Sequence, residues 1–174
     1  MSIQIKSRKR VKDLAEILTA KREVESITDL IKDLSEKIDS KFFEPSCGNG
    51  NFLCEILNRR INRLKKTYKK KMDFEFYLIK ASASLYGIDI DKNNIKEAKD
   101  RMYDIIKLCS NHIENKIVMK IIKKILDTNI VVGNTIKDEI DLFTSGNDII
   151  FINYTSPKMF YFKNKAEWYK RGSG

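Results

Sequence analysis

Residues 42–53, with the sequence FFEPSCGNGNFL, carry the strongest structural signal in the chain. Two phenylalanines predict a short buried strand that stops at Pro45. A Gly-x-Gly turn follows at Gly48 and Gly50, and Asn51 begins a helix. Glycine suits such a turn because it adopts positive φ and lets a ligand approach the backbone, while the start of a helix offers N–H groups and a positive dipole end. The stretch therefore predicts a strand–turn–helix unit that binds a ligand, with an ordinary ligand-free turn as the alternative.

Strands and helices alternate on both sides of this unit. Strands are predicted at residues 42–43, 84–90, 129–132 and 149–152, and helices at residues 11–38, 51–71, 74–83, 93–111 and 113–126. This alternation predicts an α/β domain of Rossmann-like type with a mostly parallel sheet, in which ligands bind at the carboxyl ends of the strands. We expect an N-terminal helical segment over residues 1–40 and the α/β domain over residues 41–170. Residues 171–174, RGSG, are interpreted as an appended tail.

The turn lacks one feature of dinucleotide-binding proteins. Their G-x-G-x-x-G pattern requires a third glycine, and Leu53 stands at that position. Nicotinamide dinucleotides are therefore disfavoured as the ligand.

Residues 44–53 resemble the first motif of adenine-specific DNA methyltransferases of restriction-modification systems, written (Asp/Glu)-Pro-x-x-Gly-x-Gly-x-Phe-Leu. The resemblance implies a Rossmann-like methyltransferase fold with S-adenosylmethionine as cofactor. It implies that Glu44 faces the methionine end of the cofactor, and that the backbone of Cys47, Gly48 and Gly50 wraps its methionine and ribose. An acid suits this position because the cofactor carries ammonium and sulfonium charges.

Two further strand ends match the same family. Residues 86–91, YGIDID, imply that Asp89 binds the ribose hydroxyls and that Ile90 covers one face of the adenine ring, while Asp91 is predicted to cap the next helix. Residues 130–135, IVVGNT, imply that Asn134 meets the cofactor adenine, since an amide both donates and accepts hydrogen bonds. A turn asparagine without a ligand is the alternative for Asn134.

The N-terminal region contains a fourth match. Residues 16–24, EILTAKREV, resemble the segment in which a Thr-Pro turn closes over the cofactor. The resemblance implies a cofactor contact for Thr19. Ala20 replaces the usual proline and permits the helix to continue.

The catalytic motif departs from the family pattern. Adenine methyltransferases carry (Asp/Asn/Ser)-Pro-Pro-aromatic after the fourth strand, where this chain has Asn153, Tyr154, Thr155 and Ser156. The resemblance implies that Asn153 accepts the hydrogens of the adenine amine and that Tyr154 stacks on the flipped base, with Phe160 or Tyr161 as the alternative for stacking. Because both prolines are missing, a non-catalytic loop is the alternative.

These matches predict a site-specific, adenine-specific DNA methyltransferase or its cofactor-binding part. The first alternative is a catalytically inactive cofactor- or DNA-binding subunit that regulates or completes another methyltransferase, and the second is an RNA or protein methyltransferase. The sheet is predicted to be truncated after its fourth strand. We therefore expect a homodimer or a partner subunit that supplies the missing strands and the DNA-recognition domain.

The composition of the chain limits its possible binding partners and its cellular location. The formal net charge is +10, which favours DNA as a partner, and the basic residues between 59 and 71 are a candidate phosphate-binding face or an ordinary solvated helix surface. The three cysteines have no C-x-x-C spacing and predict reduced thiols without a metal site. The chain has no apolar run of the ~20 residues that cross a bilayer and no secretory signal, so we expect a cytoplasmic protein without a membrane partner.

Overall fold

Four short strands form one sheet in the computed structural model, which describes residues 21–134 and, for the backbone, residues 139–140. Strands β1 (Phe42–Glu44), β2 (Leu85–Asp89) and β3 (Ile130–Asn134) pair in parallel in the order β1-β2-β3. Strand β4 (Glu139–Ile140) pairs antiparallel with β3. The predicted α/β class with parallel strands is confirmed at this coarse level. Strand β4 was not predicted, and the strand expected at residues 149–152 lies outside the described residues.

Helices connect and cover the strands. They are α1 (Lys21–Leu30), α2 (Lys32–Glu36), α3 (Asn51–Thr67), α4 (Lys71–Ala83), α5 (Lys92–Lys107) and α6 (Lys116–Asn129), with a 3₁₀ turn at Ser110–His112. The described residues all belong to one compact unit, Met1–Asp141. No helix formed by these residues is long and apolar enough to cross a membrane.

The helix expected at residues 11–38 is interrupted where the structure describes it. A break at Ile31 separates α1 from α2. The hydroxyl of Thr28 donates to the carbonyls of Val24 and Glu25 at 2.8 and 3.0 Å. Such back-bonding bends a helix, so the apolar spacing predicted the helical state correctly but not the bend.

Helix α3 supplies the largest apolar face of the core. Its buried apolar side chains recur every three or four residues, as a helix packed on one side requires: Leu53, Ile56, Leu57, Ile61 and Leu64. The face begins next to the glycine turn and continues to the last turn of the helix. The strand–turn–helix unit predicted from residues 42–53 is therefore present, and its helix anchors it in the core.

Arg60 corrects one prediction about this helix. The residues between 59 and 71 were a candidate phosphate-binding or solvated face, but Arg60 is wholly buried. Its guanidinium donates to the carbonyls of Ser35, Ala81 and Ser40 at 3.2, 3.2 and 2.6 Å, and to the Ser84 hydroxyl at 2.6 Å. The assignment of Arg60 to a basic surface was wrong because this position lies on the apolar side of α3.

Candidate cofactor-binding site

The carboxyl ends of the parallel strands place three of the predicted polar site residues on one face of the sheet. Glu44 pairs with Gly87, and Asp89 pairs with Val132. Side chains of residues paired in parallel register point to the same face, as do those of residues two apart in one strand. Glu44, Asp89 and Asn134 therefore share a face. Asp89 lies two residues further along the sheet than Glu44, and Asn134 lies two residues beyond Asp89.

Asp89 holds the glycine turn against the end of β2. Its Oδ2 accepts the backbone N–H of Gly48 at 2.9 Å, and its Oδ1 accepts the N–H of Asp91 at 2.8 Å and the amide of Asn94 at 3.3 Å. A carboxylate has about four acceptor positions, so these three bonds leave about one position, on Oδ2, for a ligand. The sequence indicated Asp89 as a ligand-binding residue, and the structure adds that it orders the turn.

Both glycines of the turn adopt the left-handed conformation that the sequence predicted for them. Gly48 has φ 53° and Gly50 has φ 81°. Gly50 is also in close contact with α5, since a Cβ added there would lie 2.8 Å from the Cβ of Ala98. Glycine is therefore required at position 50 by both the backbone angle and the packing. At position 48 the positive φ favours glycine.

Three N–H groups of the turn donate inside the protein. Cys47 donates to the carbonyl of Ile88 and Gly50 to the carbonyl of Cys47, each at 2.8 Å, while Gly48 donates to Asp89. A ligand that contacts these three residues must therefore meet their carbonyl and Cα groups. The Cys47 side chain is buried, and burial together with the charge of Asp89 raises the pKa of its thiol, which stays protonated.

Glu44 is a half-buried acid with one buried, unsatisfied oxygen. Its Oε2 is buried and has no hydrogen-bond partner. Burial, and secondly the negative charge of Asp89, raise the pKa of Glu44 from 4.5 to about 7. Leaving a buried acceptor without a donor is unfavourable, and a neighbouring positive charge would favour the ionised form. Glu44 is therefore suited to a cationic ligand.

A polar network from α5 supports the turn at Asn49 and Asn51. Arg101 donates to the carbonyl of Asn49 at 2.7 Å and to Oδ1 of Asn51 at 2.9 Å. The amide of Asn49 donates to Glu97 at 2.8 Å, and its own Oδ1 is buried without a partner. The sequence analysis did not identify these residues as part of the site. The only local signal was the spacing of Glu97 and Arg101, which places them on one side of a helix without showing what they contact.

Gly87 is a second residue that sequence reasoning missed. A Cβ at this position would lie 2.7 Å from Cδ1 of Leu53 and 3.1 Å from Sγ of Cys47. The glycine therefore allows the turn and the first part of α3 to lie directly on β2. A glycine inside a strand commonly marks such a close approach and was a usable signal.

The remaining predicted contacts surround this turn or lie outside the described residues. Ile90 follows Asp89 directly and is 57% exposed, so apolar surface lies beside the acid. Asn134 is half-buried at the end of β3. Thr19, Asn153 and Tyr154 lie outside the described residues. Within residues 21–134, no group of three or more His, Cys, Asp or Glu side chains is arranged to hold a metal ion.

No protein-family model, curated protein or solved structure matches this chain.

Proposed function

We propose that this chain is the S-adenosylmethionine-binding part of an adenine-N6 DNA methyltransferase. The observation that carries the proposal is the buried, unpartnered Oε2 of Glu44 beside a glycine turn held by Asp89. A pair of acids at the strand ends favours a ligand with permanent positive charge. S-adenosylmethionine combines such a charge with a nucleoside, and the motif resemblance described above leads to the same ligand.

The residues around the turn match the parts of this cofactor. Glu44 would face the sulfonium and ammonium groups, and the remaining acceptor position on Asp89 would take a ribose hydroxyl. The exposed side chain of Ile90 would cover the adenine ring. The bound cofactor would supply a methyl group on a sulfonium leaving group, while the chain binds the cofactor and orients it.

The same geometry argues against nucleotides that bind through their phosphates. Phosphate-binding turns present several backbone N–H groups to the ligand. Here the N–H groups of Cys47, Gly48 and Gly50 donate within the protein. The acids Glu44 and Asp89 would in addition repel a phosphate. A sulfonium nucleoside avoids both conflicts because it has no phosphate.

Calorimetry of the full chain tests the binding step. We expect S-adenosylmethionine to bind and ATP to give no heat. With the pKa of Glu44 at about 7, its ionised fraction rises about tenfold between pH 6 and pH 8, so cofactor affinity should rise by up to about tenfold. Glu44→Gln should remove this rise and leave only the titration of the cofactor's own amine. 5′-Methylthioadenosine, which lacks both positive charges, is the matched ligand control and should bind wild type and variant alike.

Two results would contradict cofactor binding. One is the absence of heat with S-adenosylmethionine at pH 8. The other is an identical pH profile of affinity in wild type and Glu44→Gln.

Transfer of a labelled methyl group tests the catalytic step. We expect label on adenine in duplex DNA, less label on RNA of the same sequence, and loss of transfer in Asn153→Ala with cofactor affinity unchanged. Cofactor binding without transfer to either nucleic acid would contradict an active enzyme. Transfer that appears only after a partner chain is added would identify a subunit that completes another methyltransferase.

A further inference from the structure

A cavity of about 250 Å³ lies at the end of α3 that is remote from the glycine turn. Its lining combines cations with aromatic rings and consists of Lys37, Ile38, Asp39, Arg63, Thr67, Tyr68, Tyr77 and Lys80. None of these residues belongs to the proposed cofactor site.

Chain geometry separates the cavity from the turn. Lys37 and Asp39 precede β1, whereas the turn follows it. Arg63 is twelve residues along α3 from Asn51, which corresponds to about 18 Å at the helical rise of ~1.5 Å per residue. A ligand in the cavity would therefore occupy a different site from a ligand at the turn.

The cavity carries a surplus of positive charge. Three of its lining residues are cations, Lys37, Arg63 and Lys80, and one is an acid, Asp39. The Lys80 ammonium lies 3.8 Å from the Asp39 carboxylate, and its side chain is only 17% exposed. The Arg63 guanidinium lies 3.9 Å from Glu36. Both distances exceed a hydrogen bond, so these acids reduce the positive charge without hydrogen bonding to the cations.

Aromatic rings lie beside these cations. Tyr68 and Tyr77 are stacked with their ring centroids 4.1 Å apart and their planes 14° apart, and both are half-buried. A rigid aromatic surface next to guanidinium and ammonium groups is the chemistry that binds a nucleotide, with the base on the ring and the phosphate on the cations.

The surface beyond the cavity favours a nucleic acid strand over a free nucleotide. Exposed lysines follow Arg63 along the chain, at Lys66, Lys69, Lys70 and Lys71. A row of exposed cations next to the cavity attracts the successive phosphates of a polyanion. A single nucleotide would leave Lys66, Lys69 and Lys70 without a phosphate, and Lys71 with only the Glu114 carboxylate 3.6 Å away.

We propose that this cavity and the lysines beside it bind a single-stranded nucleic acid, with one nucleotide in the cavity. Its phosphate would contact Arg63 and Lys37, and its base would stack on Tyr68. The site goes beyond the proposed function because it requires neither the cofactor nor methyl transfer.

Fluorescence anisotropy of the full chain with a labelled twelve-residue oligothymidylate tests the charge requirement. The double variant Lys37→Gln/Arg63→Gln removes both cations that would contact the phosphate in the cavity. The slope of log affinity against log salt should therefore become shallower by about 0.7, the value for one neutralised phosphate on a single strand. The matched control is Lys123→Gln/Lys124→Gln, which removes two exposed lysines from α6. An equal change in the control would overturn the proposal.

A second pair of variants tests stacking. Tyr68→Ala should weaken binding roughly 5- to 100-fold, the range for loss of one base–aromatic stack, whereas Tyr68→Phe keeps the ring and should bind like wild type. Equal affinities of Tyr68→Ala and Tyr68→Phe would overturn the proposal. Displacement of the strand by thymidine 5′-monophosphate, at a concentration equal to that of the nucleotides in the strand, would also overturn the proposal. The site would then bind a free nucleotide.

Discussion

Arg60 lies buried beside one end of β1 and the half-buried Glu44 forms the other end, and the two side chains differ in how their polar atoms are satisfied. The Arg60 guanidinium donates to three carbonyls and one hydroxyl. Glu44 keeps a buried oxygen with no hydrogen-bond partner. The desolvation of the Arg60 charge is offset by its protein partners, so removing either side is destabilising, whereas a buried acceptor without a partner is unfavourable unless a ligand supplies the donor.

The two residues therefore assign different roles to the two ends of β1. The end that follows Ser40, where Arg60 binds, is structural. The end at Glu44 and the glycine turn is a candidate binding site. Removing Arg60 should damage folding with no direct effect on the ligand, while neutralising Glu44 should stabilise the protein at neutral pH and weaken binding.

The largest expected effect is that of Arg60→Met. It leaves the carbonyls of Ser35 and Ser40 without their guanidinium donor, at about 1–3 kcal/mol for each unsatisfied group, while the carbonyl of Ala81 keeps the Ser84 hydroxyl at 3.0 Å. Some of these groups will find water, so we expect the free energy of unfolding in urea to fall by about 3–5 kcal/mol. Arg63→Met is the control, since that side chain is 52% exposed, and should change stability by less than about 1 kcal/mol. Equal losses would show that Arg60 is not a structural charge.

The next effect is that of Gly50→Ala. The new side chain must adopt a φ of 81° and would lie 2.8 Å from the Cβ of Ala98. Left-handed backbone costs a residue with a side chain about 1–2 kcal/mol, and overpacking adds about 1–3 kcal/mol. We expect a loss of roughly 2–4 kcal/mol in thermal or urea unfolding.

Two controls separate the two parts of this effect. Gly48→Ala places a side chain at the other positive φ of the turn and tests the backbone part, at about 1–2 kcal/mol for a left-handed residue. Ala98→Gly should recover part of the loss of Gly50→Ala in a double-mutant cycle. Additive effects in that cycle would contradict the contact between the turn and α5.

The local parts of the fold and site could be predicted from the sequence. The turn, its two glycines and the helix after it follow from residues adjacent in the chain. Strand β2 was predicted within one residue of its observed ends at Leu85 and Asp89. Asp91 was predicted to cap the next helix, and its side chain accepts the N–H of Asn93. In each case the physical signal is local backbone conformation or apolar spacing.

The parts that were missed depend on partners far apart in the chain. Arg60 lies in a basic stretch, and only its position among the apolar residues of α3 indicated burial. Its hydrogen-bond partners lie 20–25 residues away along the chain. The hydrogen-bond partners of Arg101 lie 50–52 residues away. Sequence periodicity shows which side of a helix faces inward. It does not show which backbone carbonyl a polar side chain on that side will contact. Strand β4 has only two residues and no periodicity to detect.

The third prediction concerns the pH dependence of stability at Glu44. Its pKa is about 7 in the folded chain and 4.5 in the unfolded chain. Below pH 4.5 both forms are protonated; as the pH rises to 7 the unfolded chain releases the proton while the folded chain retains it. Stability therefore falls over this interval, by roughly 2–3 kcal/mol.

Urea unfolding at pH 4.5 and pH 8 measures this effect against Glu44→Gln, which does not titrate. The unfolding free energy of wild type minus that of Glu44→Gln should be lower at pH 8 than at pH 4.5. Glu114→Gln is the control because it removes a carboxylate that is 74% exposed. The same pH dependence for both substitutions would contradict the burial of Glu44.

The smallest effect on stability is expected from Arg101→Gln, which removes the two hydrogen bonds from α5 to Asn49 and Asn51. Charge-assisted bonds are worth about 1.5–3 kcal/mol when buried, but Arg101 is partly exposed, so we expect a loss of about 1 kcal/mol. Cofactor affinity should fall more visibly, by several-fold, because a loosened turn must be ordered again on binding. Lys96→Gln removes the same charge from an exposed position of α5 and should change neither quantity. If Arg101→Gln behaves like Lys96→Gln, Asp89 alone orders the turn, and the network from α5 has no part in binding.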